Sequence, residues 1–221
     1  MHIAKVPKIF QPFYCHDLIR LGKDHDGGYL VNRRDIERTQ LLISLGVGTD
    51  ISFERAFANI NSCKVQAYDR EINNIDLDAE NFFTGSNQLS MLDISSNNIN
   101  SIFHGSDIFL KCDIEGAEYG ILSDIIQYSD KFTGMVIEFH DCNKTVNYDN
   151  LVNFIAKIPQ RLVHTHVNNY FYYKTPQGNV PDIFELSFSS SSNCEYKPQL
   201  QLPHSLDMTN NPNDQEFSLV F

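Results

Sequence analysis

The sequence predicts an α/β fold, a doubly wound and mostly parallel sheet with an antiparallel edge hairpin, on three observations. Short apolar runs alternate with segments of helical period, the rhythm of strand–helix–strand units. The strongest early run, Leu41-Leu42-Ile43-Ser44-Leu45, breaks into Gly46-Val47-Gly48, and a helix-start signal follows at once. Late in the chain, two runs at 161–167 and 182–188 flank Thr175-Pro176-Gln177-Gly178-Asn179, which reads as a hairpin turn.

Taken in order, residues 1–40 form an N-terminal cap segment, in which Gly27 and Gly28 precede a short strand at 29–31. Residues 41–45 are apolar apart from one serine, as suits a strand buried on both faces. Asp50 or Ser52 can cap the helix that follows, whose apolar stripe is Phe53, Ala56, Phe57 and Ile60. Lys64 to Asp69 reads as a second strand. A short strand is expected at 81–84, then a polar stretch at 85–101 with room for a short helix. Strands at 108–113 and 134–140 bracket a helix at 117–128, which carries Ile121, Leu122, Ile125 and Ile126 at helical spacing. Residues 147–158 place Tyr148, Leu151, Val152, Ile155 and Ile158 on one helical face. Beyond the hairpin, the serine run 189–192 and a polar tail read as loop, with a closing strand at 217–221. No repeat or linker divides the chain, so one domain is expected, with its core at 41–188 and an extension at 189–221.

Ligands of such sheets bind outside the carboxyl ends of the strands. Gly46 and Gly48 let the backbone bend tightly and approach a ligand, although a plain turn would use the same glycines. Asp69 ends the next strand about twenty residues further on, where a carboxylate meets ribose hydroxyls. A dinucleotide fingerprint would place a third glycine where Ile51 stands. A nucleoside cofactor without phosphate, such as S-adenosylmethionine, therefore fits better.

Composition narrows the partners. With 28 acidic against 17 basic side chains and a formal charge of −11, the chain is not a general phosphate-backbone binder, and nucleic acid is not expected. The five cysteines are scattered and lack any Cys-x-x-Cys pair, so neither a disulfide framework nor a zinc site is expected. Reduced thiols in a cytoplasm are the expectation, in keeping with the lack of any apolar run of membrane-spanning length or of a signal-peptide core at the start. No pattern encodes an oligomeric state.

Other strand ends supply the candidate chemistry: Asp113 with Glu115, Glu138 with His140, and Asn168 with Asn169. Asp113 stands beside the cofactor cleft, where an unpaired acid must be solvated, bonded or used. Glu118 is read as favouring the positive end of a helix dipole. His140 is the first candidate for a general base, since histidine suits that task near neutral pH; His164 and His166 share one side of a later strand with Asn168. Glu138, His166 and Asn168 are the candidate substrate contacts. Asp113, Glu138 and Asp141 are of the type that holds Mg²⁺, but their spacing does not demand it and no metal is expected.

The segment Phe109-Leu110-Lys111-Cys112-Asp113-Ile114-Glu115-Gly116-Ala117-Glu118 resembles the signature of the FkbM-type S-adenosylmethionine-dependent methyltransferases. Arg20-Leu21-Gly22-Lys23-Asp24-His25-Asp26-Gly27-Gly28-Tyr29-Leu30-Val31 and His164-Thr165-His166-Val167-Asn168-Asn169-Tyr170 resemble flanking motifs of one branch, so the likeness runs over about residues 20–188. Cys112 replaces the more usual isoleucine or valine, and Thr49-Asp50 replaces a further glycine. The resemblance implies a Rossmann-like methyltransferase fold and methyl transfer to a hydroxyl of a sugar, glycan or related small metabolite. It puts Gly46 and Gly48 against the cofactor, Asp69 at its ribose, Asp113 near its methionyl or acceptor end, and Gly27 and Gly28 in a loop closing over the pocket. A nicotinamide-dependent oxidoreductase on the same sheet and a noncatalytic cofactor-binding subunit are the alternatives, separable by which cofactor binds and whether methyl moves.

Overall fold

The computed structural model describes residues 1–71, 77–176, 178–198 and 200–221. The chain opens with β1 (His2–Lys5), a single 3₁₀ turn at Lys8–Phe10, β2 (Tyr14–Cys15), the antiparallel pair β3 (Leu18–Gly22) and β4 (Gly28–Asn32), and α1 (Arg33–Arg38). Alternation follows: β5 (Leu41–Leu45), α2 (Ser52–Ile60), β6 (Lys64–Asp69), α3 (Leu77–Phe82), β7 (Gln88–Met91), α4 (Ile99–Ile102), β8 (Ile108–Cys112), α5 (Leu122–Gln127), β9 (Phe132–Phe139) and α6 (Thr145–Lys157). The long hairpin β10 (Arg161–Thr175) and β11 (Gly178–Ser189) comes next, and β12 (Cys194–Glu195) and β13 (Phe217–Val220) complete the chain.

Seven strands form the central sheet in the order β7-β6-β5-β8-β9-β11-β10. The pairs β5–β6, β6–β7, β5–β8 and β8–β9 are parallel, whereas β11 runs antiparallel to both β9 and β10. Connections run outward to opposite edges from β5, so a topological switch point lies between β5 and β8. The expected doubly wound, mostly parallel sheet with an antiparallel edge hairpin is therefore the observed fold.

Alternation along the buried strands explains the two layers. Leu42, Val65, Phe109 and Val136 face one side, against Ile36, Phe53 and Phe57 of α1 and α2. Ile43, Leu45, Leu110, Met135 and Ile137 face the other, against Ile125 of α5 and Leu151 and Phe154 of α6. Neither expected residue caps α2: Ile51 holds the N-cap position without a side-chain cap, and Asp50, one residue earlier, accepts the Ser52 N–H through Oδ1 at 3.1 Å.

Several boundaries differ from expectation. The strand predicted at 81–84 is instead the end of helix α3 and the bend after it, because Ala79, Phe82 and Phe83 recur at helical spacing and pack with Val47, Ile51 and Ala67. The edge strand is β7, a little later. The helix predicted at 117–128 is a 3₁₀ turn, Glu118–Gly120, followed by the shorter α5. Both hairpin strands run past their predicted ends, and Gln177 of the turn lies outside the described residues. The closing strand β13 pairs in parallel with β1, apart from the central sheet.

The expectation of unpaired thiols is corrected. Cys15 and Cys194 form a disulfide across the antiparallel pair β2–β12, with Cα atoms 4.5 Å apart and a sequence separation of 179. No local spacing reveals a pair brought together over that distance, and the cytoplasmic expectation loses the support it took from reduced cysteines. Cys63, Cys112 and Cys142 are free. Among the described residues no helix is long and apolar enough to cross a membrane.

Candidate active site

A cleft of about 1130 Å³ opens at the carboxyl ends of β5, β6, β8 and β9, over the switch point. It gathers most of the predicted positions: Gly46, Gly48, Asp69, Asp113, Glu138, His140 and Asn168 all line it. Residues that the sequence did not single out line it too, among them Lys23, Asp26, Tyr29, Lys111, Leu92, Asp93 and Ile94.

The two glycines of the opening turn do different work. Gly46, at φ 76°, packs so closely on the Asp113 carbonyl that a Cβ there would collide with it. Gly48, at φ 58°, faces open space. Lys111 braces this turn, its buried Nζ donating to the Gly46 carbonyl at 2.9 Å with Glu54 Oε1 3.9 Å away. Burial alone would lower the Lys111 pKa, but the charges of Glu54 and Asp113 outweigh it and keep the ammonium protonated. Asp69 fixes the other flank, Oδ2 accepting the Gly48 N–H at 2.7 Å and Oδ1 the Glu71 N–H at 2.8 Å. Each carboxylate oxygen has a second lone pair to offer a ligand hydroxyl.

At the heart of the cleft, the Tyr29 hydroxyl reaches Asp113 Oδ2 at 3.1 Å and Glu138 Oε2 at 2.9 Å. One hydroxyl proton serves two acids. Burial, reinforced by their mutual repulsion, pushes the Glu138 carboxyl well above the usual range, and burial also raises Asp113. Asn168 Nδ2 donates to Glu138 Oε1 at 3.1 Å, so Glu138 and Asn168 reach the cleft already engaged with each other.

His140 sits among acids. Its Nδ1 lies 3.1 Å from Glu118 Oε1, and its Nε2 is 3.5 Å from Glu115, 3.7 Å from Glu138 and 3.8 Å from Asp113. Burial opposes its charge, but Glu118, Glu138 and Asp113 prevail and lift its pKa to about 9. The imidazolium is thus favoured at neutral pH, so His140 would have to give up a proton before serving as the base expected of it. Glu118 also departs from its expected role at a helix dipole. Fully buried, its Oε1 accepts the N–H groups of Ile114 and Gly116, each at 3.1 Å, as well as facing His140.

Asp113, Glu115 and His140 offer one ligand atom each within 4.8 Å of one another, a set able to hold a divalent cation once His140 is neutral. Asp141, considered with Asp113 and Glu138 for that role, instead pairs with Lys144 at 2.7 Å.

Two expected contacts fall elsewhere. Gly28 is buried with its Cα against the Arg20 guanidinium and the Lys23 carbonyl, and its neighbour Gly27 lines the cleft instead. His166 is sandwiched between Glu185 at 3.0 Å and Glu216 at 3.3 Å, outside the cleft lining, because the C-terminal extension covers that part of β10. His164 is likewise covered, 2.9 Å from Asp207, whose carboxyl His164 holds down at about 2 against the effect of burial.

No family model and no curated protein sequence matches the chain. Solved structures that resemble it include precorrin-6y C5,15-methyltransferase from Geobacter metallireducens, at 10% identity over 71% of this chain and 85% of that one, with a TM-score of 0.45. An rRNA methylase from Streptococcus thermophilus shares 12% identity over 71% of this chain and 90% of that one, with a TM-score of 0.42. A human methyltransferase 10 domain containing protein shares 13% over 70% and 73%, with a TM-score of 0.40. These neighbours are methyltransferases, but at such identities and TM-scores the likeness carries nothing about what this chain does.

Proposed function

We propose that the chain is an S-adenosylmethionine-dependent O-methyltransferase acting on a hydroxyl of a sugar, glycan or related small metabolite. The observation that carries this reading is the convergence of the Gly46–Gly48 turn, Asp69 and the Asp113–Glu138–His140 group in one cleft at the switch point. The FkbM-like segment at 109–118 supplies part of that group, and it supports the same class.

The residues present fit the cofactor. Gly48 leaves open space where a side chain would intrude, and the lining is rich in carboxylates with only Lys23, Arg70 and Lys111 as lysine or arginine counterweights. Such a surface favours a cationic sulfonium over a dinucleotide pyrophosphate. Asp69 would take the ribose hydroxyls, Gly46 and Gly48 the adjoining backbone, and Asp113 the far end. When bound, the cofactor supplies a methyl group on a good leaving group. What remains for the protein is to hold the acceptor oxygen in line, exclude water and take its proton. Tyr170 and Phe171, both exposed on β10 at the cleft edge, offer ring faces on which a sugar can lie.

Incubation with methyl-labelled S-adenosylmethionine and a fractionated extract, followed by tracing the label, tests the activity. Calorimetry should show S-adenosylmethionine binding that weakens about tenfold or more in Asp69→Ala, since both a ligand contact and the tie to Gly48 are lost. Failure of the wild-type protein to bind would end the proposal.

If His140 accepts the acceptor's proton, only its neutral form is active. Activity expressed as kcat/KM should then rise with pH through about 9 and level off above it. A positive ligand charge beside the ring lowers that value, so the inflection in kcat should fall at lower pH. A profile flat from pH 6 to 10 removes His140 as the base.

A further inference from the structure

Residues 23–28 comprise the loop between β3 and β4 together with the first residue of β4, and three of them, Lys23, Asp26 and Gly27, line the cleft. Arg20, from the same hairpin, shapes the loop by donating to the carbonyls of Lys23, His25 and Gly28, but this does not fix its position over the sheet. Towards the Gly46–Gly48 turn the loop makes an exposed ion pair, Lys23 Nζ to Asp50 Oδ2 at 3.3 Å, of the kind worth little.

Its firmer ties go the other way. Asp26 Oδ1 accepts one amide proton from Asn210 at 3.1 Å and one from Asn168 at 3.3 Å, and His25 Nδ1 lies 2.8 Å from the Thr209 carbonyl. The second amide proton of Asn210 goes to Glu185 Oε1 at 2.6 Å, and that of Asn168 to Glu138 Oε1 at 3.1 Å. Each amide therefore bridges two carboxylates, and both side chains are almost wholly buried. The path Glu138–Asn168–Asp26–Asn210–Glu185 joins the centre of the cleft to the C-terminal extension.

We infer that the C-terminal extension seats the 23–28 loop over the cleft through the Asn210–Asp26 hydrogen bond, which makes Asn210 and Asp26 positioning residues for the bound ligand. The inference rests on the cleft being the cofactor site proposed above.

Two measurements test it, hydrogen exchange of the peptide covering residues 23–28 and calorimetric binding of S-adenosylhomocysteine. Asn210→Ala and Asp26→Ala should each raise loop exchange and weaken S-adenosylhomocysteine about tenfold. Asp26→Asn keeps an oxygen that accepts both amides, so it should restore the wild-type exchange rate and most of the affinity. Ser218→Ala, in the same extension but bonded to the Leu202 carbonyl, should change neither. Loop exchange unaltered in both alanine variants overturns the inference, and so does Asp26→Asn losing as much affinity as Asp26→Ala, which would mark direct action by charge. Should Asn210→Ala fail to fold, Asp26→Ala on the half-buried loop decides. If S-adenosylhomocysteine does not bind even the wild-type protein, the proposed function fails, and loop exchange alone then judges the seating.

Discussion

Gly46→Ala is expected to destabilise the protein by about 3 kcal/mol or more, whereas Gly48→Ala should cost about 1 kcal/mol and act mainly on binding. Both residues have left-handed backbone, at φ 76° and 58°, and an alanine pays the same local strain at each. The difference is what a methyl group meets. At Gly46 it collides with the Asp113 backbone carbonyl, in a place pinned by two further hydrogen bonds, Gly46 N–H to the Tyr68 carbonyl at 2.8 Å and Asp113 N–H to the Leu45 carbonyl at 2.9 Å. Relief would require β5 and β8 to part at the switch point. At Gly48 nothing lies within 4 Å, so the methyl group stands in the cleft. Calorimetric unfolding should show Gly46→Ala melting roughly 6–12 °C lower and Gly48→Ala only a few degrees lower. S-adenosylmethionine affinity should fall in Gly48→Ala despite its intact fold. Equal melting temperatures for the two variants would show that the close packing on Asp113 is not what requires glycine at position 46.

The second large effect is at Glu118. In Glu118→Ala the N–H groups of Ile114 and Gly116 lose their acceptor and His140 loses its nearest counter-charge. A loss of about 2 kcal/mol is expected, because donors left unmatched cost on the order of 1–3 kcal/mol each when buried and these two are only partly so. Glu118→Gln separates geometry from charge. Its side-chain oxygen can still accept both backbone donors, so stability should largely return, but the charge that most favours the imidazolium is gone. The His140 pKa should drop below about 9, visible in the ring's NMR titration, and the rise of activity with pH should begin earlier. The linkage has a definite sign. A histidine whose folded pKa is raised contributes stability below its ordinary value near 6.5 that is lost as pH climbs through about 9. Wild-type protein should therefore lose more stability between pH 7 and 10 than Glu118→Gln. An unshifted His140 titration in the glutamine variant would count against this account.

The strands that hold the site were legible where burial is complete. Leu41–Leu45, Ile108–Cys112 and Phe132–Phe139 are buried along their whole length, and mostly apolar runs report that directly. The edge strand Gln88–Met91 is largely exposed and short, which hid it in a polar stretch. In the site, residues at strand ends were visible because topology alone sends them to the cleft. Tyr29 and Lys111 were not. A tyrosine in a cap segment and a lysine inside an apolar strand acquire meaning only from partners far along the chain, Glu138 for one and the Gly46 carbonyl for the other. His166 failed for the converse reason, since nothing in its strand announces that Glu216 will cover it.

The parallel pairing of β1 with β13 matches His2 to Phe217 and Lys5 to Val220, so contacts between the two ends of the sequence are part of the fold. Such a pairing closes a very long loop, and closure of that kind is costly in entropy and slow to form. Until residues near 217 have been synthesised, β1 lacks the strand with which it pairs. The same is true of Asp26, which waits for Asn210. A nascent chain halted just after β11 would thus have all seven strands of its central sheet and still lack the segment that seats one wall of the cleft, so folding of the sheet and readiness to bind are separate events in time.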